Sequence, residues 1–332
     1  MRCHAVFVPA LSLLALGCSL ALDPQVELVG PPPIDGPLRV GFVYVGPVGD
    51  HGWTKAHDVG REHLAGAIPD LETHFVPSVS PADVGRVIDE RVAAGDNVIV
   101  TTSYDFLVGT QAAALRYPDV NFLTCAGFET GPNMGSYFGR MYQVMFMAGR
   151  LAGHTTQTNR VGIVGAVVIP ETVRHINAFT LGARSVRPDV EVAVRWVGQW
   201  FAPDAEAAAT NELIDSGADV IFGQTDTIVP IETSAARMSV IGTPVYSIGY
   251  DNPDSCGFAP DRCLASAYWS WGPLVERLLL EMRDGDWDPS RIVWDRMSSD
   301  PNRTSCYLSE ISTALVPTSV RVDVEGDRKS VV

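Results

Sequence analysis

Arg39-Val40-Gly41-Phe42-Val43 returns, about 120 residues further on, as Arg160-Val161-Gly162-Ile163-Val164, and this recurrence sets the architecture. The strings that follow recur in the same order. Asp96-Asn97-Val98-Ile99-Val100-Thr101-Thr102 is echoed by Ala218-Asp219-Val220-Ile221-Phe222-Gly223-Gln224, and Val120-Asn121-Phe122-Leu123 by Thr243-Pro244-Val245-Tyr246-Ser247-Ile248. Each is a short run rich in β-branched or aromatic residues, the composition of a strand buried on both faces. Between them lie helical spacings, Val84, Val87, Ile88 and Val92 in one half and Val173, Ile176, Phe179 and Ala183 in the other. Strand and helix alternating twice predict an α/β chain of two doubly wound parallel-sheet lobes; one large domain would not restart at Arg160. The 332 residues suffice for two such units, and 46% hydrophobic against 19% charged residues supplies each with a core.

In open α/β sheets the ligand crevice lies outside the carboxyl ends of the strands, so two facing lobes leave a cleft whose loops can be read directly. These are residues 46–55, 101–106 and 127–129 in the first half, and 166–174, 224–228 and 249–253 in the second. They carry Trp53, Tyr104, Asp105 and Phe128 on one side and Asp226 and Asp251 on the other, with Trp200 near in pattern. Aromatic faces with carboxylate acceptors suit a flat, nitrogen-rich ring, and suit a sugar or a cationic amine almost as well. The same residues admit plainer roles: Asp50 or Asp105 as a helix cap, Trp53 as a lid on the core.

No catalytic signature competes. Gly-x-Ser-x-Gly and His-Glu-x-x-His are missing, and Gly46-Pro47-Val48-Gly49-Asp50 is neither a P-loop nor a dinucleotide fingerprint. An acid/base cluster of Asp50, Asp226 and Asp251 is the one enzymatic reading the residues allow. Neither cofactor nor metal is expected, since His57 and His63 lack the further ligands of a zinc pattern. The net charge of -15 argues against a nucleic-acid partner.

The amino terminus reads as an export signal: Arg2, an apolar run from Ala5 to Leu16, then Gly17-Cys18, where small residues before a cysteine are similar to a bacterial lipobox. Cys18 is then the lipidated first residue of the mature protein, and 19–37, with three consecutive prolines, a spacer. Export favours disulfides, and Cys256 and Cys263 bracket a short loop, so they are the expected pair. Cys125 is expected as a buried thiol.

Several ordered motifs bring a family into view. Gly49-Asp50-His51-Gly52-Trp53-Thr54, Tyr137-Phe138-Gly139-Arg140, Ile169-Pro170-Glu171, Gln224-Thr225-Asp226, Gly249-Tyr250-Asp251 and Trp269-Ser270-Trp271-Gly272-Pro273 resemble the basic membrane protein family of bacterial substrate-binding lipoproteins, over roughly 38–295. The resemblance implies a type I periplasmic-binding-protein fold, and a small-molecule ligand, often a purine base or nucleoside. It also implies an ABC permease and ATPase as partners, attachment to the membrane through the lipid, and a monomer. It points to Asp251, Trp53 and the Gln224 to Asp226 turn as ligand contacts, with Asp50, Thr54, Phe128 and Pro170 on matching loops; Tyr104, Trp200 and Trp271 follow from loop position. Where the family's nucleoside receptors carry asparagine, this chain has Thr54, which favours a base such as adenine. A ligand-sensing receptor or a nucleoside hydrolase is the alternative. The expected boundaries are a signal at 1–18, a linker at 19–37, a first lobe of 38–155 with 252–287, a second of 156–251 with 288–320, and a tail at 321–332; hinges are expected near residues 155, 251 and 287.

Overall fold

The computed structural model describes residues 31, 33–297 and 306–309, so Cys18, the export signal and the tail lie outside the described residues. The first half runs β1 (Arg39–Val43), α1 (Trp53–Ala67), β2 (Glu72–Val76), α2 (Val84–Ala93), β3 (Val98–Thr101), a 3-10 turn (Tyr104–Phe106), α3 (Leu107–Arg116), β4 (Asn121–Cys125) and β5 (Met134–Gly139). The second runs α4 (Met141–Thr155), β6 (Arg160–Gly165), α5 (Pro170–Val186), β7 (Glu191–Trp196), α6 (Pro203–Asp215), β8 (Val220–Gln224), α7 (Val229–Ile241), β9 (Tyr246–Asp251), a 3-10 turn (Pro253–Phe258) and β10 (Cys263–Trp269). Then follow α8 (Trp271–Asp284), β11 (Ile292–Asp295) and β12 (Cys306–Leu308).

Two six-stranded sheets result, ordered β11-β5-β4-β3-β1-β2 and β12-β10-β9-β8-β6-β7. The three repeated strings are β1 and β6, β3 and β8, and β4 and β9, and each pair occupies the same place in its sheet. Pairing is parallel throughout except between β10 and β12. The near-continuous burial of β3, β4 and β8 explains why their sequences are apolar without alternation, since helices cover both faces. In α5 the buried stripe is Thr172, Ile176, Phe179 and Ala183, while Val173 turns to solvent.

The sheets correct the expected boundaries. Strand β10, placed by sequence in the first lobe, pairs with β9 in the second sheet, and β11, placed in the second lobe, pairs with β5 in the first. Helix α4 packs on α5, β10 and β12, and α8 packs on α1, where His63 Nε2 meets Glu276 Oε2 at 2.7 Å. The chain therefore crosses between lobes at Arg140, at Ser270 and between Asp295 and Cys306, instead of near 155, 251 and 287. Hydrophobic patterning shows that a segment is buried but not which of two similar sheets receives it. Among the described residues no helix is long and apolar enough to cross a membrane.

Candidate functional site

A cavity of about 490 Å³ opens between the lobes, walled at the carboxyl ends of the strands. The first lobe contributes Val45 after β1, Trp53 at the start of α1, Ser103 to Asp105 after β3, and Ala126 after β4. The second contributes Val167, Ile169 and Glu171 after β6, Gly198 to Trp200 after β7, Asp226 after β8, and Tyr250 with Asp251 at the end of β9. Aromatic surface thus comes from both sides, whereas Glu171, Asp226 and Asp251 all belong to the second lobe.

Trp53 is held from behind. Its Nε1 donates to the Thr102 carbonyl at 2.6 Å, and its edge meets Trp271 at 5.6 Å and Trp269 at 5.8 Å between ring centres. Trp269 and Trp271 are themselves stacked at 4.6 Å and 12°. Trp271 is buried in this cluster and supports Trp53 without reaching the cavity wall.

Asp251 is the most unusual residue of the site. It is 1% exposed, neither carboxyl oxygen makes a hydrogen bond of good geometry although the Trp269 indole and the Asp226 carboxyl stand near, and its φ of 65° lies in the left-handed region. Ala126, at the matching position after β4, shares that conformation with φ 59°. The two lobes thus turn their chains into the cavity by the same strained step, a feature that concentrates at functional sites. Burial, reinforced by the charges of Asp226 and Asp50, holds the Asp251 carboxyl well above the usual carboxylate range. Asp226 is raised likewise by burial and by Asp50 and Glu206, and Glu171 is pushed up to about 7 by burial, against the pull of Arg174.

The other residues expected from sequence stand off the wall. Asp50 caps the start of α1, its oxygens accepting from the amides of Gly52 (2.9 Å), Thr54 (3.0 Å) and Lys55 (3.0 Å). Thr54 is buried, its hydroxyl accepting from the Gly46 amide at 3.1 Å, so it faces its own loop and offers no reason to prefer a base over a nucleoside. Gln224 is buried against His175, its amide nitrogen 3.2 Å from Nδ1; burial brings that histidine down to about 3 and keeps it neutral. Phe128 packs on the outer side of Tyr104 at 5.9 Å and is exposed. Pro170 occupies the first turn of α5 and faces solvent, between Ile169 and Glu171 which line the cavity. Glu171, part of the Ile169-Pro170-Glu171 motif but not among the expected ligand contacts, lines the cavity; its place as an acid in the first turn of a helix leaving a crevice loop is the sequence signal for it.

Cys256 and Cys263 are joined as expected, and Cys125 is a buried free thiol, as expected. The bridged segment reaches the mouth of the cleft, where Phe258 meets His51 of the first lobe edge-on at 5.2 Å. Beside it a Cβ on Gly52 would lie 2.6 Å from the backbone of Asp226, so the lobes touch here only because Gly52 has no side chain. Gly52→Val is expected to wedge the cleft open and weaken ligand binding about tenfold, ~1.4 kcal/mol, with little change in ligand-free melting temperature. Calorimetric titration and small-angle scattering check both halves of that statement.

A cleft lined this way, at the carboxyl ends of two parallel sheets that share one topology, defines a two-lobed solute-binding protein. Residues 38–295 match the Bmp family, described as ABC transporter substrate-binding protein PnrA-like. The chain belongs to that family; it is a substrate-binding protein and not an enzyme, it works outside the cytoplasm with a small-molecule ligand, and its partners are the permease and ATPase of an importer. It is similar to a purine-binding protein of Brucella abortus, 38% identical over 77% of this chain and 72% of that one. It is also similar to a provisionally named ABC transporter glucose-binding protein of Haloferax volcanii, 36% identical over 76% of this chain and 62% of that one. Among solved structures, a solute-binding protein from Conexibacter woesei superposes with TM-score 0.71 at 18% identity, covering 88% and 96% of the two chains. One from Aeropyrum pernix gives 0.72 at 19%, covering 89% and 86%. These establish the type I periplasmic-binding fold expected from sequence.

Proposed function

We propose that the chain captures a purine, as the base or the nucleoside, and delivers it to an ABC importer while tethered to the membrane through lipid on Cys18, as a monomer. The observation that carries the ligand class is Asp251, a buried carboxyl without a hydrogen-bond partner, in a cavity lined from the other lobe by Trp53. A purine offers both things such a site needs, a π face for stacking and N–H donors for the carboxyl. The similarity to the Brucella abortus purine-binding protein supports the same reading. On this reading Trp53, Tyr104 and Trp200 supply the ring contacts, and Asp226 and Asp251 the acceptors.

A thermal-shift panel of purine bases, nucleosides, glucose and amines tests it. A ligand at 100 times its dissociation constant adds about 2.7 kcal/mol of stability. A shift with glucose or an amine and none with any purine would sink the purine reading. Within the same panel Trp53→Ala is expected to weaken purine binding by ~1–3 kcal/mol, the range of base–aromatic stacking. Unchanged affinity would remove Trp53 from the site.

A further inference from the structure

Four carboxyl groups line one cavity, Asp105 from the first lobe and Glu171, Asp226 and Asp251 from the second, with no lysine, arginine or histidine among the described residues that line it. Glu171 faces Arg174 on its own helix, Asp226 after β8, Tyr250 and Asp251 on β9, and Cys125 on β4. Asp50 adds negative charge from the first lobe. The one cation of this set, Arg174, lies over the rings of Trp294 (5.3 Å) and Tyr142 (6.0 Å). The buried oxygens of Asp251, on the cavity wall and without a hydrogen-bond partner, set the cluster apart from carboxyls that decorate the surface.

Like charges at close quarters in a low-dielectric recess cannot all ionise. An uncharged ligand makes the conflict worse, because it displaces the water that screens the acids and brings no positive charge in exchange. The site resolves this only by holding protons, and a protonated carboxyl is also an O–H donor.

We propose that Glu171 is a specificity residue that grips the ligand as a neutral carboxylic acid, donating its O–H to a ligand lone pair, so that capture of an uncharged molecule carries a proton into the site. For a purine the acceptor is a ring nitrogen, and to that extent the inference rests on the purine reading. Glu171 is the right member of the second lobe's three for this role. Glu171 stands on the cavity wall in the first turn of α5 and, raised to about 7 by burial, changes state within the neutral range, while burial and neighbouring carboxyls raise Asp226 and Asp251 as well.

The test is calorimetric titration of the purified protein and of Glu171→Gln with adenine, adenosine and glucose, from pH 6 to pH 9, in two buffers of different ionisation enthalpy. Above pH 7 the wild-type affinity is expected to fall by about tenfold per pH unit, one proton's worth of linkage. At pH 8 wild type is expected to take up about one more proton per ligand than Glu171→Gln, whose affinity stays level because its amide is a permanent donor. Purine binding with equal proton uptake in both proteins, or a pH slope that survives in Glu171→Gln, overturns the inference and leaves the purine reading standing. Glucose binding with the Glu171-dependent uptake, and no purine binding, does the reverse. Binding that strengthens as pH rises overturns the inference by showing that the favoured ligand is a cation. Failure of every probe to bind overturns both.

Discussion

Replacing Asp251 with alanine is expected to weaken ligand capture by at least about 100-fold, ~2.7 kcal/mol, the scale of losing a desolvated carboxyl that meets N–H donors. No other residue of the cavity combines near-complete burial with two carboxyl oxygens that lack a hydrogen-bond partner, so its loss leaves the ligand's donors with nothing to replace the water they gave up. Titration calorimetry reads the effect; a loss under about fivefold would mean that Asp251 shapes the loop and does not hold the ligand.

The same residue makes an opposite prediction for stability. Its folded-state pKa, like those of Asp226 and Glu171, is raised, so the native protein binds more protons than the unfolded chain and stability falls as pH rises. For Asp251 the loss begins above 3.8, and for Glu171 it spans 4.5 to about 7. Asparagine tolerates the left-handed backbone and cannot ionise. Asp251→Asn is therefore expected to raise the ligand-free melting temperature by ~2–4 °C or more at pH 8, about 1 kcal/mol at minimum. At pH 4 it should do almost nothing. A gain of equal size at both pH values would show that the carboxyl's charge is not the cause.

The second large effect lies far from the cavity, where α4 crosses α5. A Cβ on Gly149 would fall inside the contact radius of the Phe179 carbonyl oxygen, and one on Gly182 inside that of Phe146; one on Gly153 would lie 2.6 Å from the Ala183 oxygen. The obstacles are backbone atoms, which no rotamer change can move, so the helices must separate and pull Phe179 off Phe222, on which it stacks at 5.2 Å. Gly149→Ala is expected to cost about 3 kcal/mol, near the top of the overpacking range. At 2–4 °C per kcal/mol for a unit of roughly 150 residues, the melting temperature drops by about 6–12 °C. Gly149→Val is expected to leave the second lobe unfolded. Circular dichroism melts decide, and a drop under 2 °C for the alanine variant would show that the two helices part without penalty.

The legible part of this protein was the part written in short-range pattern. Strands β1 and β6, β3 and β8, and β4 and β9 are pairs of similar strings, and a string apolar on both faces has few places to go except the middle of a parallel sheet. The Cys256–Cys263 bridge was legible for the same reason, two cysteines close in sequence around a loop. Aromatic and acidic residues in the crevice loops marked Trp53, Tyr104, Trp200, Asp226 and Asp251, all of which reach the cavity wall.

What the sequence by itself determined, then, was two α/β lobes, a cleft at their strand ends and the chemical kinds of side chain that line it. Tertiary structure alone decided which lobe owns β10 and β11, because strand exchange between two like sheets leaves the hydrophobic pattern unchanged. It also decided which crevice residues face the ligand. Asp50 and Asp226 look alike in sequence, yet three backbone amides claim the first while the second is left beside Asp251 and Glu171, because hydrogen-bond partners are set by how the loop ends fold in space and not by residue type.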